Sequence, residues 1–207
     1  MQVETLFFLV ILIFSIIIHE IAHGYMAEWF GDPTARLAGR LTLNPVPHID
    51  PLGSIILPAI LLIGSAGAFA FGWAKPVPYN PYNLRNFKWG TIWVGLAGVL
   101  ANAALAIIFG LMLRYSFELG ITDVAFAKML ATIVFLNIVL AVFNMLPFPP
   151  LDGAKVLFAL LPVRFQYIHD YLEQNWLIFI VFVILFAQYV ISPVSSMLFV
   201  LITGVGK

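Results

Sequence analysis

Residues 6–18 are built from Leu, Phe, Val and Ile with a single Ser, and the chain then sets His19, Glu20 and His23 within five positions. No other feature constrains the fold as strongly. An apolar stretch reaching from about Glu4 to Phe30 reads as a helix that crosses a bilayer, for which about 20 residues suffice. Ionisable side chains at that depth cost about 2.5–3.5 kcal/mol each. They persist only beside a compensating partner. In a helix, positions i and i+4 share a face, so the two imidazoles converge and Glu20 stands next to them. This is the H-E-x-x-H arrangement, in which paired histidines hold zinc and the glutamate acts as general base.

The rest of the composition agrees with a polytopic membrane protein: 62% hydrophobic residues, 10% charged and a mean hydropathy of +1.03. The length fits one integral domain over residues 1–207. A formal net charge of zero offers no basis for nucleic-acid binding. Cysteine is absent, which excludes disulfides and thiolate ligands. Any metal must therefore be held by His, Asp, Glu or Asn. The first apolar run lacks a basic leader and a small-residue cleavage site, so it is expected to be retained.

Gly31-Asp32-Pro33 stops the first span, and residues 31–51 form a polar, proline-rich loop. Leu52 to Ile63 is apolar but short for a crossing. Residues 68–79 alternate imperfectly and read as strand or loop. Further spans are expected at about Trp89–Tyr115, Val124–Leu146 and Trp176–Ile202, the last broken or kinked at Pro193. A short amphipathic helix is expected over 151–161.

Positive charge decides between a full span and a re-entrant excursion at Leu52–Ala70. If that segment crosses, Arg36, Arg40, Arg114, Lys128 and Lys207 face one side and Lys75, Arg85, Lys88, Lys155 and Arg164 the other, five against five. If it returns, Arg36, Arg40, Lys75, Arg85, Lys88, Lys155 and Arg164 share one side against Arg114, Lys128 and Lys207, seven against three. Only the second arrangement shows a positive-inside bias. The expected fold is thus all-α and polytopic, with four to five transmembrane helices and a re-entrant helix or β-hairpin element after the first. The amino terminus is expected outside the cell, and the motif in the cytoplasmic half of the membrane.

A catalytic zinc usually takes three protein ligands and leaves a fourth position open. The remaining histidines are His48 and His169, and ten acidic residues include Glu20 itself. Asp152 stands out among them. It follows a span directly, after Pro147, Pro149 and Pro150, and Gly153 beside it permits close backbone approach. A helix broken at membrane depth is a recognised way to build an ion site.

Taken together, HEIAH at 19–23, NMLPFPPLDG at 144–153 and GLAGVLAN at 95–102 resemble the site-2 proteases, a family of zinc-dependent intramembrane proteases. Val99 stands where the family usually has Pro. The loops GRLTLNPVPHIDPLGS and FGWAKPVPYNP are similar to those of a compact bacterial or archaeal form without a PDZ domain. The resemblance implies a multi-pass protein of the cell membrane that cleaves transmembrane substrates. It implies one zinc ion held by His19, His23 and Asp152, with Glu20 as the base. Asn144 is placed to bind the substrate backbone or the developing oxyanion. Asn102 is placed to do the same or to brace the helices. An edge strand in 68–79 is expected to receive the unwound substrate. His48 and Asp50 read as a polar pair stabilising their loop. The competing readings are a metal-ion transporter or channel and a catalytically inactive membrane chaperone. The first would be expected to show a repeat, and the second to have lost Glu20 or a ligand; neither is seen.

Overall fold

The computed structural model describes residues 2–66, 72–116, 118, 120 and 122–205, with backbone alone at residues 2, 163, 177–180 and 182–188. Eight α-helices occupy most of these: α1 Gln2–Trp29, α2 Thr34–Leu37, α3 Leu57–Gly64, α4 Phe87–Arg114, α5 Val124–Asn144, α6 Asp152–Leu160, α7 Gln166–Gln174 and α8 Trp176–Thr203. Turns of 3₁₀-helix at Val46–His48 and Pro81–Asn83 and a π-helical turn at Pro51–Ile56 punctuate the loops. No β-strand occurs among the described residues.

Three helical segments, Val3–Trp29, Phe87–Arg114 and Val124–Asn144, are long and apolar enough to cross a membrane. Helix α8 has 28 residues, and its part Tyr189–Thr203 is a shorter apolar helix. It runs through Pro193 without the expected break. Much of the large apolar surface stays uncovered, including Leu6, Leu9 and Ile13 on α1 and Ile107, Ile108 and Leu111 on α4. Surface of this extent suits lipid rather than water.

Two of the long helices, α4 and α5, start with side-chain caps. Asn86 accepts from the Trp89 N–H at 3.0 Å and Asp123 from the Ala125 N–H at 2.7 Å. Helix α4 is the centre, packing against α1, α5, α6 and α8. Its buried face is rich in small residues, Gly90, Gly95, Ala97, Gly98, Ala106 and Gly110, which let neighbours approach closely. Ser15 on α1 and Asn137 on α5 are buried, and the Asn137 amide donates to Ser15 Oγ at 3.1 Å.

The segment after α1 doubles back on itself. The chain leaves through Pro51–Ile56 and α3, and by Trp73 it lies beside its starting point. The Trp73 N–H donates to Gly53 O at 3.1 Å and the Lys75 N–H to His48 O at 2.8 Å. Of the expected alternatives, helix or β-hairpin and strand or loop, the described residues show the helix α3 and a loop over 72–79, with no edge strand there; residues 67–71 lie outside the described residues. The physical reason is visible. Pro76 and Pro78 have no N–H to donate, and the amides of residues 73, 75 and 77 are already committed.

Candidate metal centre

Helix α1 places His19 and His23 one turn apart on the face turned to α4. Both are buried, at 5% and 6% exposure. Asp152, at 5%, enters from the first turn of α6. The three meet although 133 residues separate His19 from Asp152. Asp152 Oδ2 lies 3.0 Å from His19 Nε2 and 3.1 Å from His23 Nε2, and the two Nε2 atoms are 3.0 Å apart. These atoms form a nearly equilateral triangle. Tetrahedral zinc bonds of about 2.0–2.1 Å set ligand atoms about 3.3 Å apart, so small adjustments suit the triangle to one metal ion.

The donor chemistry points the same way. His23 Nδ1 lies 2.6 Å from the Val94 carbonyl, an acceptor, so that nitrogen carries the proton. In the neutral ring Nε2 then presents a lone pair to a second ring nitrogen and a carboxylate. A bound cation would satisfy this buried convergence, and a ligating His with its other N–H on a backbone carbonyl is a common metal-site feature. Burial alone would raise the Asp152 pKa. The Lys155 ammonium beside it opposes this and favours the ionised form that a ligand must have.

Two glycines make the meeting possible. A Cβ on Gly98 of α4 would stand 2.5 Å from the His19 ring. A Cβ on Gly153 would stand 2.2 Å from the Met145 carbonyl, closing the turn that delivers Asp152. Real side chains do not accept such distances, so both positions need glycine.

Glu20 is half-buried, and its Oε2 accepts the Val77 N–H at 2.8 Å. The returning stretch therefore grips the carboxylate. Neither Val77 nor the Val94 carbonyl was legible from residue type, because both act through backbone atoms. Lys155, whose Nζ lies 2.9 Å from Asp152 Oδ1, counts in the sequence only as a positive charge, although its place three residues after Asp152, on the same helical face, is a signal for the contact.

No hydrogen bond joins either asparagine to His19, His23 or Asp152. Asn144 ends α5, half-buried, its amide donating to Leu140 O at 2.9 Å. Asn102 is fully buried on α4, one turn beyond Gly98, and neither its Oδ1 nor its Nδ2 has a partner. His48 and Asp50 each fix their own loop. His48 Nε2 lies 2.9 Å from Thr42 O, and Asp50 caps the π-helical turn by accepting from the Gly53 N–H at 2.7 Å.

Residues 116–188, which include Asn144 and Asp152, match the family described as Peptidase family M50. The protein named zinc metalloprotease YwhC, from Bacillus subtilis, is 37% identical over 195 residues, covering 92% of this chain and 82% of its own length. The protein named zinc metalloprotease Rip2, from Mycolicibacterium smegmatis, is 32% identical over 139 residues, covering 67% of this chain and 51% of its own length. This chain thus spans about half of that relative. No solved structure is a significant match.

Proposed function

Because the chain belongs to peptidase family M50, the site-2 protease type of zinc-dependent intramembrane endopeptidase, we propose that His19, His23 and Asp152 are its zinc ligands and Glu20 its general base. The observation that carries this reading is the buried triangle of two imidazole Nε2 atoms and one carboxylate Oδ2 at 3.0–3.1 Å. When bound there, zinc polarises a carbonyl and acidifies water. The carboxylate of Glu20, oriented by the Val77 N–H, takes the proton of the attacking water and passes it to the leaving amine. Asn144, partly exposed at the end of α5, is the asparagine that meets substrate. Asn102, fully buried, is the one that braces α4 behind His19.

The substrate is a transmembrane segment of another protein, locally unwound so that a peptide bond becomes accessible. The excursion through Pro51–Ile56 and α3 is re-entrant, a reading supported by the return of Trp73 to Gly53. The same end of the molecule gathers positive residues: Arg40 donates to Lys75 O at 2.6 Å, and the Arg85 N–H to Phe30 O at 2.8 Å. Arg114 lies at the other end, beside Leu201. With the positive end inside, the centre lies in the cytoplasmic half, the amino terminus outside, and water enters past the 31–51 loop.

The test is Glu20→Gln in the full chain, incorporated in vesicles with a model transmembrane substrate. It should keep stoichiometric zinc and lose cleavage by at least two orders of magnitude, the scale of general-base catalysis. Cleavage at the parental rate would remove Glu20 from this role.

A further inference from the structure

The two oxygens of the Asp152 carboxylate are used differently. Oδ2 faces both histidine nitrogens, at 3.0 and 3.1 Å. Oδ1 is turned away from them and accepts from Lys155 Nζ at 2.9 Å. The Asp152 side chain is 6% exposed and that of Lys155 35%, so the pair lies largely inside the protein with part of the lysine side chain open. The pair spans three residues of α6, and its geometry follows from the helix alone. Close packing of Gly95 against the Asp152 carbonyl and the Lys155 Cβ, each 3.4 Å from a Cβ built at that glycine, holds this turn against α4.

We propose that Lys155 is a positioning residue that keeps Asp152 a one-oxygen metal ligand, with Oδ2 toward the metal and Oδ1 withdrawn. This rests on the reading of Asp152 as a ligand. A carboxylate free to rotate offers either oxygen, or both. A second oxygen on the metal would occupy the position that hydrolysis needs open. Hydrogen bonding to ligating carboxylates fixes their orientation, and loss of such a partner typically costs 10–100-fold in metal affinity or activity. The ammonium suits the task. It is a compact charge with three donors on a flexible stem, able to follow Oδ1 without blocking the far side of the centre.

The experiment uses the detergent-purified full chain loaded with zinc, and with Co²⁺ as a spectroscopic probe. Lys155→Met, Lys155→Arg and Asp152→Ala are compared by zinc competition and by the visible cobalt spectrum, whose intensity falls as coordination number rises. Lys155→Met should weaken zinc binding 10–100-fold and shift the cobalt spectrum to the weaker bands of a higher-coordinate ion. Lys155→Arg, which keeps a charged donor, should retain the parental spectrum. If Lys155→Met does not fold, Lys155→Gln replaces it, with the same spectral shift expected. Parental zinc affinity and an unchanged spectrum in the uncharged variant, with Asp152→Ala losing the metal, would overturn the role of Lys155 and leave the metal centre standing. Parental zinc binding by Asp152→Ala would overturn both.

Discussion

A single absent methyl group at Gly98 sets the position of the first proposed metal ligand, His19. The His19 ring fills the space that any side chain there would need, whereas a Cβ at Gly95 meets nothing closer than Val156 Cγ2 at 3.1 Å. Gly98→Ala should therefore lower zinc occupancy and cost about 1–3 kcal/mol through overpacking, with Gly95→Ala the milder of the two. Thermal unfolding and metal content of the two purified variants measure this difference. Asp32 shows the same economy outside the membrane. It is fully buried, and burial would raise its pKa. Hydrogen bonds from Thr34, Asn83 and the Asn80 N–H outweigh that and lower it. A depressed folded pKa contributes stability above the unfolded value of about 3.9, and that stability fades as pH falls toward the folded one. Asp32→Asn should thus be less stable than the parent at pH 7, and the gap should narrow below about pH 4. A gap independent of pH would assign the stabilisation to packing. At this scale the sequence was informative about side chains: the meeting of His19, His23 and Asp152 in one buried cluster was legible. The contacts from Val77 and Val94 were not, since a backbone amide or carbonyl has no residue-type signature.

Among the elements, the apolar helices were the most legible and the returning segment the least. Expected spans at Trp89–Tyr115 and Val124–Leu146 correspond to α4, Phe87–Arg114, and α5, Val124–Asn144. The expected helix at 151–161 is α6. Length and hydrophobicity suffice for such segments, because a helix satisfies its backbone internally. Residues 72–79 differ, because their conformation is set by partners far along the chain: Glu20, His48 and Gly53. Alternation of side chains is a local signal and does not report such partners. Helices α1 and α5 offer a cleaner test of packing. The Ser15–Asn137 hydrogen bond joins them in the apolar interior, where such bonds average about 0.6 kcal/mol. Ser15→Ala should lower unfolding stability by about that amount, read in detergent by calorimetry. A loss several times larger would mean that Ser15 serves more than this contact.

For the whole molecule, α4 joins helix α1, which carries His19 and His23, to α5, α6 and α8, so the centre is assembled at the core of the bundle. The side of the membrane it serves depends on the excursion through α3. The chain lacks cysteine, so single-cysteine labelling in sealed cells resolves this directly. Lys75→Cys and Arg85→Cys should react only with reagents that reach the cytoplasm, and Lys128→Cys with impermeant reagent outside. Labelling of residue 75 from outside would reverse the assignment. The central claim is that two histidines and one carboxylate hold a zinc ion beside Glu20. Zinc-edge X-ray absorption of the purified Glu20→Gln protein tests it most directly. One zinc per chain, with two imidazoles and oxygen ligands at about 2.0–2.1 Å, is the predicted result. A first shell with any other number of imidazoles, or no stoichiometric zinc, would contradict it.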